Sequence, residues 1–283
     1  MESCCDTSVR LNESIAGTAL ANTVHWLLIE VPGVWAAKTL DAPSLSEPVR
    51  DHITHALAAL PGSRFQLIRR PQATEGVRIF AATVGGQIHL RTVPDAEAIS
   101  NVDLGAMFQG EGDLVEGSMT LVCTHGVRDV CCAKEGVPVF HALENAAVGS
   151  IWQTTHLGGH RFAATLVVLP AGVQFGRVTA TEVPDMVAAL AKDEIYRIDR
   201  YRGRTSLPRE AQVAEAHLRQ AKDLMGVDDV QWLGTDGNAH RFVVAQRTIL
   251  VQTNVLPGPQ ARKVSCGSDV LKTPTLYGVS SSG

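Results

Sequence analysis

The sequence predicts an α/β protein made of two similar halves, followed by a C-terminal α/β extension. Short apolar runs bounded by turn residues alternate with stretches of helical periodicity, and a similar order of strands and helices begins again near Ser118. A third helical stretch starts after Tyr201. The 283 residues allow two domains of about 100–150 residues each, and we place them at 1–115 and 116–283.

The first half is predicted to contain one helix among four strands. The segment up to Thr18 lacks periodicity and is expected to be irregular, and Gly85-Gly86 is predicted to form a hairpin turn. Val49, Ile53 and Leu57 fall on one face of the predicted helix. In chain order, the elements are the strand "HWLLIEV", the helix "SLSEPVRDHITHALAAL" and the strands "RFQLIRR", "VRIFAATV" and "QIHLRTV".

The second half is predicted to repeat this arrangement and to continue into the extension. Pro138 is expected near the first turn of a helix, where proline is tolerated, and the helix after Tyr201 is expected to end at Gly226. The last fifteen or so residues are expected to end in a polar tail that frays. The elements are the strand "MTLVCTH", the helix "KEGVPVFHALENA", the strands "SIWQTTH", "FAATLVVL" and "GVQFGRV", the helix "EVPDMVAALAKD", the helix "SLPREAQVAEAHLRQAKDLMG" and the strands "DVQWLGTDG" and "RFVVAQRTILVQTNVL".

Composition argues against several classes of function. Hydrophobic residues make up 45% of the chain and charged residues 19%, which favours a packed core over disorder. The net charge is -4 with no long basic run, so neither nucleic acid nor a membrane is an expected partner. The N-terminus lacks the pattern of a signal peptide, and the longest apolar run is too short to span a bilayer. We therefore expect a soluble, cytoplasmic protein whose six cysteines do not form a disulfide framework.

Two cysteines and two histidines are the strongest candidates for a functional site. Cys123 ends a predicted strand, and Cys132 follows a loop of eight residues. His156 ends another predicted strand, and His160 follows after three intervening residues. If the two strands are neighbours, both pairs reach the same edge of the sheet. Two thiolates and two imidazoles suit tetrahedral zinc, or a [2Fe–2S] cluster with cysteines on one iron and histidines on the other. The spacing alone does not choose between these metals.

Gly158 and Gly159 lie between the two histidines. Without Cβ atoms they allow the backbone to approach a bulky metal group closely. Our hypothesis is that their N–H groups donate to sulfur and raise the reduction potential of a cluster.

The segments "GTALANTVHWLLIEVPGVW", "CTHGVRDVCCA" and "HLGGHRFAATLVVLPAGVQFGRV" resemble the sucrase/ferredoxin-like family, whose members are thioredoxin-like [2Fe–2S] ferredoxins. The C-x₈-C and H-x₃-H spacings resemble those of its bis-histidinyl subgroup. The resemblance covers the chain from about Cys4 to the C-terminal strands. It implies thioredoxin-like halves and a [2Fe–2S] cluster held by Cys123, Cys132, His156 and His160. Despite the family's name, sugar hydrolysis has little support, since no convincing pair of glycosidase carboxylates is present.

This resemblance implies an electron carrier rather than an enzyme. A cluster with two neutral imidazoles is less negative than an all-cysteine cluster, so its reduction potential should exceed the roughly -400 mV of plant-type ferredoxins. An imidazole proton should couple to the electron and make the potential depend on pH. The expected partners are a reductase that donates the electron and an acceptor that the sequence does not identify.

Two other classes of function remain open. A thiol-based oxidoreductase or redox sensor would need a C-x-x-C pair, whereas the chain has only C-C and C-x₈-C. A zinc-stabilised binding module has no redox role and is colourless. The sequence leaves the oligomeric state open.

The other candidate residues are expected to be structural. Cys4 and Cys5 are expected to be exposed terminal residues, Cys131 a small buried side chain beside the site, and Cys266 a structural residue near a turn. His125 is an even choice between a partner of the ligands and an ordinary loop residue. Arg128, Asp129 and Arg161 could steer a partner, tune charge or pin the loop. No site is assigned to His25, His52, His55, His89, His141, His217 or His240.

Overall fold

The computed structural model describes residues 3–71, 75–146, 149–258 and 261–282. Within these ranges the helices are α1 (Cys4–Arg10), α2 (Glu47–Ala58), α3 (Leu104–Met107), α4 (Val130–Asn145), α5 (Val183–Leu190) and α6 (Arg209–Lys222). The strands are β1 (His25–Glu30), β2 (Ser63–Arg69), β3 (Val77–Thr83), β4 (Ile88–Val93), β5 (Asp113–Leu114), β6 (Met119–Cys123), β7 (Ser150–Thr154), β8 (Leu166–Leu169), β9 (Val173–Phe175), β10 (Tyr201–Arg204), β11 (Gln231–Asp236), β12 (Ala239–Val244), β13 (Arg247–Leu256), β14 (Arg262–Lys263), β15 (Leu271–Lys272) and β16 (Leu276–Ser282).

In the described ranges, the first ten strands form one sheet in the order β10-β9-β8-β6-β7-β2-β1-β3-β4-β5. In the first half, β1 pairs with β2 in parallel and with β3 in the antiparallel sense. In the second half, β6 pairs with β7 in parallel and with β8 in the antiparallel sense. Each half therefore has a strand, a crossover helix, a parallel strand and an antiparallel hairpin. The predicted α/β class with two similar halves and a C-terminal extension is confirmed.

The two halves join where β2 and β7 end. Ile68 pairs with Thr154 and Arg69 with Gln153, in the antiparallel sense. The C-terminal ends of these two strands therefore overlap at the centre of the sheet. One core group contains Trp26 and Phe80 from the first half and Leu121 and Trp152 from the second, so apolar packing is also shared. The boundary between residues 115 and 116 stays a prediction.

The central strands of the sheet are buried because both faces of the sheet are covered there. On β1, Leu27 and Ile29 pack on the side of α2, whereas Trp26 and Leu28 point into the core group shared by both halves. All of them are less than 1% exposed. This explains why the sequence shows continuous apolar runs here rather than alternation.

The C-terminal extension is a second sheet that packs against α6. Its strands follow the order β11-β12-β13-β16, and each neighbouring pair is antiparallel. Ala214 and Leu218 of α6 share a buried group with Phe242 and Val251 of this sheet. None of the helices in the ranges described is long and apolar enough to cross a membrane.

Several sequence predictions about element limits are wrong. The N-terminal segment is not irregular throughout, because Ser3 caps α1 by accepting a hydrogen bond from the backbone N–H of Asp6. Pro138 lies inside α4 rather than in its first turn, since the helix begins at Val130. α6 ends before Gly226, where Asp223 adopts a left-handed conformation with φ of 54°. The C-terminal segment forms β16 instead of fraying, because it pairs along β13.

Candidate metal centre

The ends of two parallel strands and the start of one helix position the candidate ligands. Cys123 is the last residue of β6 and pairs with Thr154, the last residue of β7, so His156 follows two positions beyond that pair. Cys132 lies in the first turn of α4, which follows β6. The helix returns close to its strand at Gly136, where an added Cβ would lie closer than 3.0 Å to the carbonyl oxygen of Cys123.

Three of the four candidate ligands converge on one point. The Sγ of Cys132 lies 3.4 Å and the Sγ of Cys123 4.0 Å from the Nδ1 of His156. These three ligand atoms all lie within 4.8 Å of one another. Both cysteines are 1% exposed, whereas His156 is half-buried. The structure thus places Cys132, and not the adjacent Cys131, beside Cys123.

His160 stands next to this group and outside it. It begins a short 3₁₀ turn, and its ring stacks on His156 with 5.5 Å between centroids and 29° between planes. Its Nε2 lies 2.8 Å from the carbonyl oxygen of Val264 and 3.6 Å from a carboxylate oxygen of Asp129. Histidines that bind metals usually donate the other ring N–H to such an oxygen. With the proton on Nε2, the Nδ1 of His160 keeps its lone pair for a ligand.

Hydrogen bonds within the thiol pair favour one thiolate. The pKa of Cys123 is held well below its ordinary value, first by the side chain of Cys132 and then by His156, against the opposing effect of burial. The same interaction with Cys123, together with burial, raises the pKa of Cys132. One proton is therefore easily removed from the pair and the second is not. A bound metal ion would supply the positive charge that the second deprotonation needs.

A buried arginine lies on the other side of the histidine loop. Arg202 is 1% exposed and donates to the hydroxyl and carbonyl oxygens of Thr18 and to the carbonyl oxygen of Gly158. Burial lowers the pKa of Arg202 to about 9, while the charges of Cys123 and Cys132 act in the opposite direction. A guanidinium held by neutral oxygens is a favourable counter-charge for anionic sulfur.

Gly158 and Gly159 both adopt left-handed backbone conformations, and Gly159 makes room for this arginine. Their φ angles are +79° and +68°, a region in which side chains with a Cβ are strained. A Cβ on Gly159 would also lie closer than 3.0 Å to the guanidinium of Arg202. Gly159 thus allows a close approach of Arg202. The expected close approach of both glycines to a bulky metal group stays a prediction. Donation by their N–H groups to sulfur stays a hypothesis.

The first half of the chain holds the backbone that carries His156. Arg64 of β2 donates to the carbonyl oxygen of His156 at 3.0 Å, and Gln66 donates to the same oxygen at 3.4 Å. The hydroxyl of Thr155 donates to the side chain of Gln66, and its oxygen accepts from the backbone N–H of Leu67. The position of this ligand therefore depends on both halves of the sheet.

His125 supports the same loop from the second half. Its Nδ1 accepts a hydrogen bond from the backbone N–H of His156 at 3.2 Å, and its ring meets Trp35 edge-on at 5.8 Å. Burial lowers the pKa of His125, which keeps the ring neutral and Nδ1 free to accept. His125 is therefore a positioning residue rather than an ordinary loop histidine.

The other candidate residues from the sequence differ in their burial and in their contacts. Asp129 is buried and caps α4 by accepting from the backbone N–H of Cys131. Arg161 pairs with Glu13 at 2.6 Å, and Arg128 is exposed. Cys4 and Cys5 are not exposed terminal residues, since they are 7% and 5% exposed. The cause is helix α1, which buries them against Cys131 and Cys266.

The sequence did not reveal the roles of Arg64 and Arg202. Both stand in predicted or observed strands among other charged residues. Only the folded structure shows that Arg202 is buried and that Arg64 is partly buried. Arg202 lies in "YRGR", where an arginine on each side of a glycine gives no sign of which one is buried.

The donor set fits the groups that the sequence suggested. Two cysteines on adjacent elements, two imidazoles of which His160 is oriented by a carbonyl oxygen, and nearby cations suit either zinc or a [2Fe–2S] cluster. The three convergent atoms would also fit a single ion. Fold and site together define an α/β protein with a candidate metal centre of cysteines and histidines at the ends of two parallel strands.

The chain belongs to the sucrase/ferredoxin-like family, whose model matches residues 16–203. This range contains Cys123, Cys132, His156 and His160, but neither Cys4 nor Cys266. The resemblance noted in the sequence is thereby confirmed for the family. Membership in the bis-histidinyl subgroup stays a prediction.

Individual relatives are more distant. Altered inheritance of mitochondria protein 32 from Meyerozyma guilliermondii is 30% identical over 103 residues, which cover 33% of this chain and 36% of the relative. The chain therefore matches only about a third of that relative's length. A thioredoxin-like [2Fe–2S] ferredoxin from Aquifex aeolicus is 22% identical and has a TM-score of 0.24, with 28% of this chain and 83% of that chain covered. A variant of that ferredoxin gives 21% identity, the same TM-score, and coverage of 27% and 88%.

Proposed function

We propose that the protein is an electron carrier that holds one [2Fe–2S] cluster through Cys123, Cys132, His156 and His160. The observation that carries this proposal is the convergence of two buried thiols and one imidazole, with a second imidazole stacked beside them. The ferredoxin-like family of the chain is consistent with it. When bound, such a cluster would accept and release one electron at a time.

The charges around the site favour a potential above that of plant-type ferredoxins. Two thiolates and two neutral imidazoles give the oxidised cluster about two fewer negative charges than four thiolates would. Arg202 is buried and Arg64 is partly buried, and both act electrostatically on Cys123, which further favours the addition of an electron. We expect a potential well above roughly -400 mV.

His160 is the residue expected to couple a proton to the electron. It holds a proton at Nε2 against the carbonyl oxygen of Val264, with Asp129 3.6 Å away. Reduction would add negative charge at the site and increase the proton affinity of His160. Oxidation would remove this charge and decrease the proton affinity. The potential should therefore fall with rising pH over the range in which the proton is exchanged.

The surface beside the site suits contact with other proteins. Cys123 and Cys132 are buried, whereas both histidines reach solvent in part. In the loop between the cysteines, Val127 and Val130 are 64% and 56% exposed. The expected partners are a reductase that donates one electron and a protein acceptor that takes it.

The decisive experiment is purification without oxygen, followed by an absorption spectrum and by EPR after dithionite reduction. Visible charge-transfer bands and a rhombic signal of low average g are expected for mixed cysteine and histidine ligation. His160→Cys should keep the cluster and lower its potential, because a thiolate adds negative charge, whereas Cys123→Ser should lose the visible bands. A colourless protein with iron available would contradict the proposal.

A single zinc ion is the second candidate, because the three convergent atoms lie within 4.8 Å of one another. Zinc takes four ligands of these types and has no redox chemistry. In that case the purified protein would be colourless, and Cys123→Ser would release its zinc.

A further inference from the structure

A second group of soft ligands lies behind the candidate centre, on the opposite side of the cysteine pair 131–132. Cys4 starts α1, Cys131 lies in the first turn of α4, and Cys266 lies between β14 and β15. The Sγ of Cys131 is 3.5 Å from the Sγ of Cys4 and 3.5 Å from the Sγ of Cys266. Three thiols from distant parts of the chain therefore meet at one point.

The spacing of the sulfur atoms suits a shared ion better than a disulfide. A disulfide bond requires about 2.05 Å between sulfur atoms. Thiolates bound to zinc at about 2.3 Å and at tetrahedral angles lie about 3.8 Å apart. The two observed distances of 3.5 Å are close to the second value and far from the first.

Asp129 completes the group. One of its carboxylate oxygens lies within 4.8 Å of all three sulfur atoms, which are themselves mutually within that distance. The carboxylate accepts from the backbone N–H of Cys131 at 3.0 Å and of Cys266 at 3.4 Å, and the backbone N–H of Cys4 donates to the Sγ of Cys266 at 3.1 Å. These donors offset negative charge, as hydrogen bonds around bound thiolates do.

We propose that Cys4, Cys131, Cys266 and Asp129 bind one zinc ion as a structural site separate from the candidate cluster. Four protein ligands leave no open position, which is the arrangement of structural rather than catalytic zinc. Three thiolates favour a soft metal over magnesium or calcium.

The two segments that the ion would join to α4 contain little secondary structure of their own. α1 has seven residues, too few to be stable alone, and the segment around Cys266 contains only the two-residue strands β14 and β15. Both segments lie outside the family match at 16–203. The ion would fasten them to the start of α4, directly behind Cys132. It would thereby also hold Asp129, which faces His160 at 3.6 Å.

The test is the zinc content of the full-length protein, measured by mass spectrometry after expression with iron and zinc supplied. About one zinc per chain is expected in the wild type and in Cys123→Ser. Cys266→Ser should lose at least nine-tenths of it and keep the visible bands of the cluster. Cys266 is the best position for substitution because it is only half-buried, so the fold should survive, as circular dichroism would show.

Cys5→Ser is the matched control, because Cys5 is in the same helix as Cys4, is 5% exposed, and lies outside the four-atom group. It should keep its zinc. As a second readout, cobalt added to zinc-free protein should give thiolate-to-cobalt absorption that Cys123→Ser retains and Cys266→Ser loses. Wild-type protein without zinc, zinc retained by Cys266→Ser, or zinc lost from Cys5→Ser would each overturn this ligand set. If the first centre held zinc instead of iron, the wild type would bind about two zinc ions and Cys123→Ser about one. The double variant Cys123→Ser/Cys266→Ser should hold almost no zinc, whichever metal the first centre binds.

Discussion

The two halves of the large sheet share a strand order, but the residue at the end of the first strand differs in type between them. In the first half, β1 ends at Glu30, whose buried carboxylate pairs with Arg78 at 2.6 Å. In the second half, β6 ends at Cys123, which faces Cys132 and His156. The same place in the scaffold thus carries an ion pair in one half and a candidate metal ligand in the other. The fold supplies the position, and the residues at the strand ends supply the function.

The connections after these strands also differ. In the first half, residues 31–46 separate β1 from α2, and Trp35 of this long connection packs into the core and beneath Arg69. In the second half, residues 124–129 alone separate β6 from α4. The short connection brings the first turn of the helix, with Cys132, back over Cys123.

The largest effect is expected from Gly136→Ala, which would separate β6 from α4. The new methyl group would lie closer than 3.0 Å to the carbonyl oxygen of Cys123, so the helix must move. Such overpacking costs about 1–3 kcal/mol, against a gain of about 1 kcal/mol from helix propensity. Cys132 moves with the helix, so bound iron or zinc at the centre should fall at least several-fold. Metal analysis and urea unfolding would measure both effects.

Gly105→Ala in α3 is the matched control in the first half. There the added methyl group would meet only a carboxylate oxygen of Asp103, at 3.3 Å. We expect unchanged metal content and nearly unchanged stability. If Gly136→Ala bound metal like the wild type, then close contact between α4 and β6 would not be what assembles the site.

Local patterns were sufficient to predict the repeated part of the fold. Burial requires apolar residues, and these can be recognised directly in the sequence. They form the apolar runs of β1, β2, β3 and β6 and the apolar face of α2. The pairing of β2 with β7 was not predictable, because it involves two residue pairs between strands more than eighty residues apart. Periodicity carries no information on such pairing.

The candidate ligands could be recognised because each pair is close in sequence. The residues around them come from distant parts of the chain and could not be recognised in the same way. Cys123 and Cys132 belong to one loop and helix, and His156 and His160 to one turn. Arg202 reaches the site from β10, and the fold alone brings it there. The mistaken expectation for Cys4 has the same origin, since its neighbours Cys131 and Cys266 are more than one hundred residues away.

Arg64 of the first half is expected to raise the reduction potential of the candidate centre in the second half. Arg64→Met removes a partly buried cation that acts on Cys123 and a donor to the carbonyl oxygen of His156. The reduction potential should fall, because the reduced centre loses a stabilising positive charge. The lost hydrogen bond should also reduce the free energy of unfolding by about 1–2 kcal/mol. Potentiometry and urea unfolding would measure the two effects separately.

Arg70→Met provides the comparison, since Arg70 lies one residue past β2. It donates to the carbonyl oxygen of Ile151 at 2.8 Å and stacks over Trp152 at 4.1 Å. We expect a similar loss of stability with an unchanged potential. Equal shifts of potential in both variants would mean that a general loosening of the sheet, and not the charge of Arg64, sets the potential.

The smallest expected effect concerns two histidines that lie away from the centre. His25 of β1 packs edge-on against Phe108 at 5.3 Å, and His240 lies between the hydroxyls of Thr235 and Thr253, each at 2.9 Å. Burial lowers the pKa of both imidazoles below the ordinary value of 6.5. The unfolded chain therefore takes up these protons first as the pH falls.

The free energy of unfolding should accordingly be highest above pH 6.5 and should decrease as the pH falls below that value. Each imidazole adds a slope of at most about 1.4 kcal/mol per pH unit, within the interval between its pKa in the folded chain and that in the unfolded chain. Urea unfolding of metal-free protein between pH 7.5 and 5.5 would measure this slope. The carboxylates with lowered pKa values titrate at lower pH and contribute little there. His25→Gln should make the pH dependence of the free energy of unfolding shallower, and the difference gives the contribution of His25. An unchanged slope in that variant would assign the acid sensitivity to other parts of the chain.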